Sequence, residues 1–115
     1  MIHLGIDIGT TSLAVAAIGA EPPQVIAVRS VPHNAGSQKA VVEGLECRLD
    51  LNILQARLVE MVGDLLPQLG NPAIGSIGIT GQMHGFALLD ASGRAVAPAW
   101  TWQDTTVLGM TFSGM

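Results

Sequence analysis

Residues 2–18 read IHLGIDIGTTSLAVAAI, and this stretch decides the fold. It contains two runs rich in β-branched and small apolar residues, Ile2–Ile8 and residues 12–18, which are separated by Gly9, Thr10 and Thr11. Two such runs joined by a turn of small residues predict an antiparallel β-hairpin. The chain therefore opens with a strand, a tight turn and a second strand.

The residues that follow this hairpin predict a mixed sheet of the α/β class. Glu21-Pro22-Pro23 interrupts the pattern, and residues 24–31 resume it as a third antiparallel strand. From Leu51 to Leu69 apolar residues recur at spacings of three and four, which predicts a helix with Asp50 as its N-cap and an end near residues 66–69. Residues 73–80 then predict a strand parallel to the first, because a helix links the two.

Two stretches have weaker patterns. Residues 32–46 lack a clear periodicity and are interpreted as a loop, with a short helix or strand near residues 40–42. Residues 86–97 predict a second hairpin, whose turn is formed by residues 90–93. No internal repeat is evident.

Composition and charge exclude several classes of function. The 115 residues include five Lys and Arg and carry a net charge of −4, so no basic stripe is available to bind nucleic acid. Cys47 is the single cysteine, which rules out an internal disulfide framework. The N-terminus has no basic region, and Asp7 interrupts its apolar run, so we expect no signal peptide, no membrane span and a cytoplasmic location.

The turn of the first hairpin has the residues of an anion site. Asp7 ends a strand and could hold Mg²⁺, Gly9 permits close backbone approach, and Thr10, Thr11 and Ser12 can donate hydrogen bonds to phosphate oxygens. No Walker A lysine follows. The alternative from spacing alone is an ordinary hairpin turn beside an edge-strand carboxylate.

A second group of polar residues follows the predicted parallel strand. Gln82, Met83 and His84 lie between Gly81 and Gly85, at the carboxyl end where α/β sheets commonly bind ligands. The amide and imidazole can bond sugar hydroxyls, and the methionine offers an apolar wall. Taken alone, a loop histidine beside a methionine is more often ordinary surface than a ligand.

Together these two groups resemble the FGGY family of carbohydrate kinases, and the opening resembles the first phosphate hairpin of actin-like ATPases. The sequence Gly81-Gln82-Met83-His84-Gly85 closely matches the signature of xylulokinases and sedoheptulokinases, whereas glycerol kinases carry an Arg-Glu pair at Met83-His84. The resemblance implies a ribonuclease H-like, actin-like ATPase domain. It also implies that ATP and Mg²⁺ are the cofactors and that a ketose is the substrate.

The resemblance extends to residues 100–104, Trp-Thr-Trp-Gln-Asp, where family members carry a Trp-x-Asp element. Thr101 and Gln103 make this element most similar to that of sedoheptulokinases, with xylulokinases as the alternative. By this resemblance Trp102 is a packing wall and Asp104 accepts a hydrogen bond from a sugar hydroxyl. The competing interpretation is that both residues merely cap a hairpin.

The resemblance also implies that the chain is incomplete. Residues 1–104 would form part of an N-terminal kinase domain, residues 105–115 depart from the family pattern, and the catalytic base and most of the adenine site would lie downstream. We therefore expect no catalysis by this chain alone, and self-association through exposed apolar surface. The alternatives are a sugar-binding module that does not need ATP, and a fragment without a function of its own.

Overall fold

A computed structural model describes residues 1–42, 44–82 and 84–106. The described elements are seven strands and one helix: β1 Ile2–Ile8, β2 Ser12–Ala20, β3 Pro23–Pro32, β4 Gly36–Val41, β5 Gly44–Leu49, α1 Leu51–Gln68, β6 Ile74–Gly81 and β7 Ala99–Trp100. Within these ranges, no helix combines the length and the hydropathy that a bilayer span requires. Met83, one of the predicted site residues, and most of the predicted tail lie outside the described residues.

The main sheet has the strand order β3-β2-β1-β6. β1 pairs with β2 antiparallel, β2 pairs with β3 antiparallel, and β6 pairs with β1 parallel. The predicted architecture is therefore confirmed: three antiparallel strands, then a helix, then a parallel strand. Because β1 and β6 are parallel, the loops that follow them leave the sheet at the same end, next to each other.

The core lies between this sheet and α1. Alternate residues of β1 and β2 are buried, and three residues of α1 pack against them; the set is Ile2, Leu4, Ile6, Leu13, Val15, Ala17, Leu54, Met61 and Leu65. Burial of one face of each strand and one stripe of the helix is the pattern expected of a sheet covered by a helix. The opposite face of β1, which carries Asp7, points away from α1.

The prediction of a loop over residues 32–46 is wrong, except that it allowed a short strand near residues 40–42 and β4 includes residues 40 and 41. Residues 36–41 and 44–49 form a β-hairpin, and β7 adds to it as the third strand of a second sheet, in the order β4-β5-β7. Its first strand is exposed along nearly its whole length, so no apolar alternation marks it in the sequence. The hairpin supplies the wall beside the β1–β2 turn.

The hairpin predicted at residues 86–97 is present as isolated bridges. Leu89 pairs with Ala95, and the turn between them is closed at Asp90, whose Oδ1 accepts hydrogen bonds from Ser92 Oγ at 2.7 Å and Arg94 N at 3.0 Å. These hydrogen bonds, led by that from the Ser92 side chain, lower the pKa of Asp90. Phe86 pairs instead with Trp100, which ties this segment to the second sheet.

The predicted N-cap of α1 is confirmed and gives a first test of the fold. Asp50 accepts hydrogen bonds from the N–H groups of Asn52 at 2.9 Å and Ile53 at 3.1 Å. We expect Asp50→Ala to lower the free energy of unfolding by about 1 kcal/mol, because two helix N–H groups lose their acceptor. Urea denaturation followed by circular dichroism measures it. Asp50→Asn keeps a capping oxygen and should retain most of the stability; equal losses in the two variants would contradict the capping role.

Candidate functional site

The β1–β2 turn, residues 9–11, forms one side of the candidate site. Gly9 N donates to Ser12 O at 2.9 Å, which closes the turn tightly. A Cβ atom added at Gly9 would lie 3.1 Å from that same oxygen, so a side chain there would press on the turn backbone. Asp7 lies just before the turn on the exposed face of the sheet, paired in register with Ala14 and Thr80.

The loop after β6, residues 81–85, meets this turn. The parallel register pairs Ile8 with Gly81, so the two strands end side by side. Gln82 Nε2 then donates a hydrogen bond to Gly9 O at 3.3 Å, which joins the two predicted clusters directly. His84 is exposed, and its φ of 60° lies in the left-handed region, an uncommon conformation for a non-glycine residue.

A residue that the sequence did not single out, His33, supports the turn from beneath. Its side chain is 1% exposed, and its Nε2 lies 3.1 Å from Gly9 O. Its Nδ1 accepts a hydrogen bond from Ala35 N at 3.0 Å, and its backbone N donates to Thr11 O at 3.1 Å. It falls in the stretch interpreted as a loop, and no spacing or motif in the sequence marks it.

Trp102 and Asp104, in the segment that follows β7, differ in burial. Trp102 is 55% exposed, and its Nε1 lies 3.5 Å from Thr10 Oγ1, so the indole stands beside the β1–β2 turn. Asp104 is buried: its Oδ2 accepts from Cys47 N at 2.8 Å and its Oδ1 from Thr106 N at 2.9 Å. Direct contact of Asp104 with a sugar hydroxyl stays a prediction. Because protein donors already bond both of its oxygens, a hydroxyl would have to displace one of them.

Arg48 completes the environment of Asp104. The two side chains form an ion pair, and the guanidinium carbon lies 4.9 Å from the ring centroid of Trp100. Trp100 in turn stacks on Phe86 with the ring centroids 4.8 Å apart and the planes inclined by 10°. Arg48 therefore connects β5, the aromatic pair and the Trp-Gln-Asp segment, which holds Trp102 at the turn.

A cavity of about 380 Å³ lies between the β1–β2 turn and the β4–β5 hairpin. Its lining is rich in hydroxyl, amide and guanidinium groups and includes Thr10, Thr11, His33, Gln38, Arg48 and Gln103. Gln103 and Thr101 both line this cavity, and Thr101 N also donates to Cys47 O at 3.2 Å.

The described residues also bear on the predicted metal. Among them, no three His, Cys, Asp or Glu side chains come together as a metal cluster. Mg²⁺ commonly keeps several waters and is held by one or two carboxylates together with substrate phosphates. A single carboxylate at Asp7, at the end of β1, fits that mode of binding.

Comparison with known proteins agrees with this geometry. The model of the N-terminal domain of the FGGY family of carbohydrate kinases matches residues 2–111. The chain belongs to this family. The FGGY assignment covers the β1–β2 turn, the loop after β6 and the Trp-Gln-Asp segment together.

Two xylulose kinases are similar to most of this chain. A xylulose kinase of Escherichia coli K12 is 30% identical over 109 residues, covering 90% of this chain and 20% of that protein. A xylulose kinase of Staphylococcus xylosus is 28% identical over 102 residues, covering 89% of this chain and 20% of that protein. The chain therefore spans about a fifth of the length of the curated relatives it matches.

A solved structure supports the fold. The crystal structure of a xyloylose kinase from Brucella ovis superposes with a TM-score of 0.69 at 28% identity, over 92% of this chain and 22% of that chain. The mixed sheet with its helix is thus the actin-like, ribonuclease H-like fold of FGGY kinases, as the resemblance implied.

Proposed function

We propose that this chain is the N-terminal part of an ATP-dependent kinase that phosphorylates a hydroxyl of a ketose. The observation that carries the proposal is the hydrogen bond from Gln82 Nε2 to Gly9 O at 3.3 Å. It places the candidate sugar loop directly against the candidate phosphate turn. Transfer of a phosphoryl group depends on holding donor and acceptor in line at short range, and this contact serves that requirement.

On the phosphate side, the proposed ligand is the polyphosphate of ATP with Mg²⁺. Asp7 would hold the metal, with Gly9 allowing close approach and Thr10, Thr11 and Ser12 as hydrogen-bond donors. When bound, the metal would neutralise charge that develops on the phosphoryl oxygens.

On the sugar side, the residues proposed to bind the ketose are Gln82, Met83 and His84, with Trp102 as an apolar wall. His84, which follows β6, and Trp102, which lies beside the β1–β2 turn, are both exposed. We propose sedoheptulose as the ketose because Thr101 and Gln103 match the sedoheptulokinase pattern. Xylulose is the alternative, supported by the two xylulose kinases that share 28–30% of their matched residues with this chain.

Titration calorimetry with sedoheptulose and with xylulose, each with and without Mg²⁺-ATP, tests the proposal. We expect saturable ketose binding that His84→Ala weakens by about tenfold or more, since lost hydrogen bonds to sugar hydroxyls are worth that much. His3→Ala is the matched control: His3 lies in β1 near the opposite end from the turn, where it bonds Ser76 Oγ, and its loss should leave affinity unchanged.

The outcomes separate the candidate functions. Absence of binding to both ketoses would contradict the sugar site, and tighter binding of xylulose would replace sedoheptulose by the alternative. Ketose binding that is insensitive to nucleotide would favour a sugar-binding module. A coupled assay should detect no release of ADP, because this chain supplies about a fifth of a relative's length; turnover would contradict that expectation.

We further propose that the protein is cytoplasmic. We also propose that its edge strand β6 promotes self-association. β6 is at the end of the sheet order, and its residues Ile77 and Ile79 are 54% and 66% exposed. An edge strand of eight residues without charge or proline is a ready template for pairing with a second copy. Multi-angle light scattering across a concentration series measures this.

A further inference from the structure

We propose that His33 is a positioning residue for the phosphate turn: it fixes the Gly9 carbonyl so that the Thr10 amide is presented to phosphate. This inference rests on the proposed function, because it assigns a role within the same site. His33 lies outside every motif that the family resemblance identified, and the structure alone brings it to the turn.

The hydrogen bonds of the His33 ring fix which of its nitrogens carries the proton. Ala35 N–H donates to His33 Nδ1 at 3.0 Å, so that nitrogen carries no proton in this arrangement. The remaining nitrogen, Nε2, therefore bears the hydrogen and donates it to Gly9 O at 3.1 Å. Both contacts are buried or nearly so, and a buried ring with both nitrogens bonded has one orientation available.

The Gly9–Thr10 peptide is held in one orientation by two side chains. Its carbonyl oxygen receives two donors, His33 Nε2 and Gln82 Nε2, at 3.1 and 3.3 Å. Because a trans peptide is planar, its N–H points opposite to its C=O. Holding the Gly9 oxygen towards His33 and Gln82 therefore turns the Thr10 N–H away from them, as a donor for an anion above the turn.

His33 also holds the turn through its own backbone. His33 N donates to Thr11 O at 3.1 Å, which ties the end of β3 to the start of β2. Gly9 and Thr11 are thus both fixed by the same residue, on either side of Thr10. A glycine turn is otherwise free to rotate its peptide planes, so this fixation reduces the entropy lost when phosphate binds.

Two isosteric substitutions separate positioning from mere packing. In His33→Gln the side-chain amide can reach the place of Nε2 and donate to Gly9 O, but the acceptor for Ala35 N is lost. In His33→Asn the side-chain oxygen can occupy the place of Nδ1 and accept from Ala35 N, but the donor to Gly9 O is lost. Each variant removes one hydrogen bond. His33→Gln should lose more stability, because Ala35 N is left without an acceptor, whereas in His33→Asn the Gly9 oxygen keeps Gln82 as a donor.

The test is titration of the ¹⁵N-labelled 115-residue chain with Mg²⁺-tripolyphosphate, followed at the Thr10 amide by nuclear magnetic resonance. We expect His33→Gln to bind within about threefold of the unaltered chain and His33→Asn to bind about tenfold more weakly. Urea denaturation of both variants shows whether affinity merely follows stability.

Each result decides the matter. Equal affinities of the two variants, or affinities that simply follow their stabilities, would overturn the positioning role and leave the proposed function standing. If the unaltered chain binds no tripolyphosphate, the positioning role and the phosphate side of the proposed function both fail. The ketose titration reports on the sugar side independently.

Discussion

Replacement of Asp104 by alanine should lower the free energy of unfolding by about 3–5 kcal/mol, because it leaves a largely buried guanidinium without its partner. The Arg48 side chain is 16% exposed and that of Asp104 is fully buried. The same substitution removes the acceptor of Cys47 N and of Thr106 N. Urea denaturation followed by circular dichroism measures the loss.

Two further variants show where the loss comes from. Arg48→Met should cost less than Asp104→Ala, because the carboxylate would keep the backbone N–H groups of Cys47 and Thr106 as donors. Asp90→Ala removes an exposed turn carboxylate and should cost much less stability than Asp104→Ala. A loss at Asp104 no greater than that at Asp90 would mean that the ion pair contributes nothing net.

The second large effect is expected in the core. Leu65→Ala should lower the free energy of unfolding by about 2–5 kcal/mol, since Leu65 is 1% exposed and its truncation leaves a cavity between α1 and the sheet. Val59→Ala on the same helix is the matched control: Val59 is 66% exposed, and the change should stay within about 0.5 kcal/mol. Similar losses in both would show that α1 does not pack as described.

The parts of the fold that the sequence predicted are those with a local period. β1, β2 and α1 each bury one face, so apolar residues recur at spacings of two or of three and four. β4 buries no such face, and its hairpin with β5 was missed for that reason. The pairing of β7 with β5 joins residues 50 and 52 positions apart, which no local pattern encodes.

The same distinction holds for the candidate site. Gln82 and the β1–β2 turn were predicted from short motifs, and their contact follows from the parallel pairing of β1 and β6. His33 and Arg48 were not predicted, because their partners Gly9 and Asp104 are distant in the chain. Which oxygen a buried side chain bonds is a property of packing, and it becomes visible only when the elements are assembled.

The different surroundings of Trp100 and Trp102 have an optical consequence. The chain has two tryptophans and no tyrosine, so its tryptophan fluorescence comes from these two indoles alone. Trp100 stacks on Phe86 and contacts the Arg48 guanidinium, whereas Trp102 is exposed beside Thr10. Iodide should therefore quench Trp102 preferentially, and a ligand seated at the turn should shield it. The protein thus carries an intrinsic fluorescent reporter of occupancy at its own site.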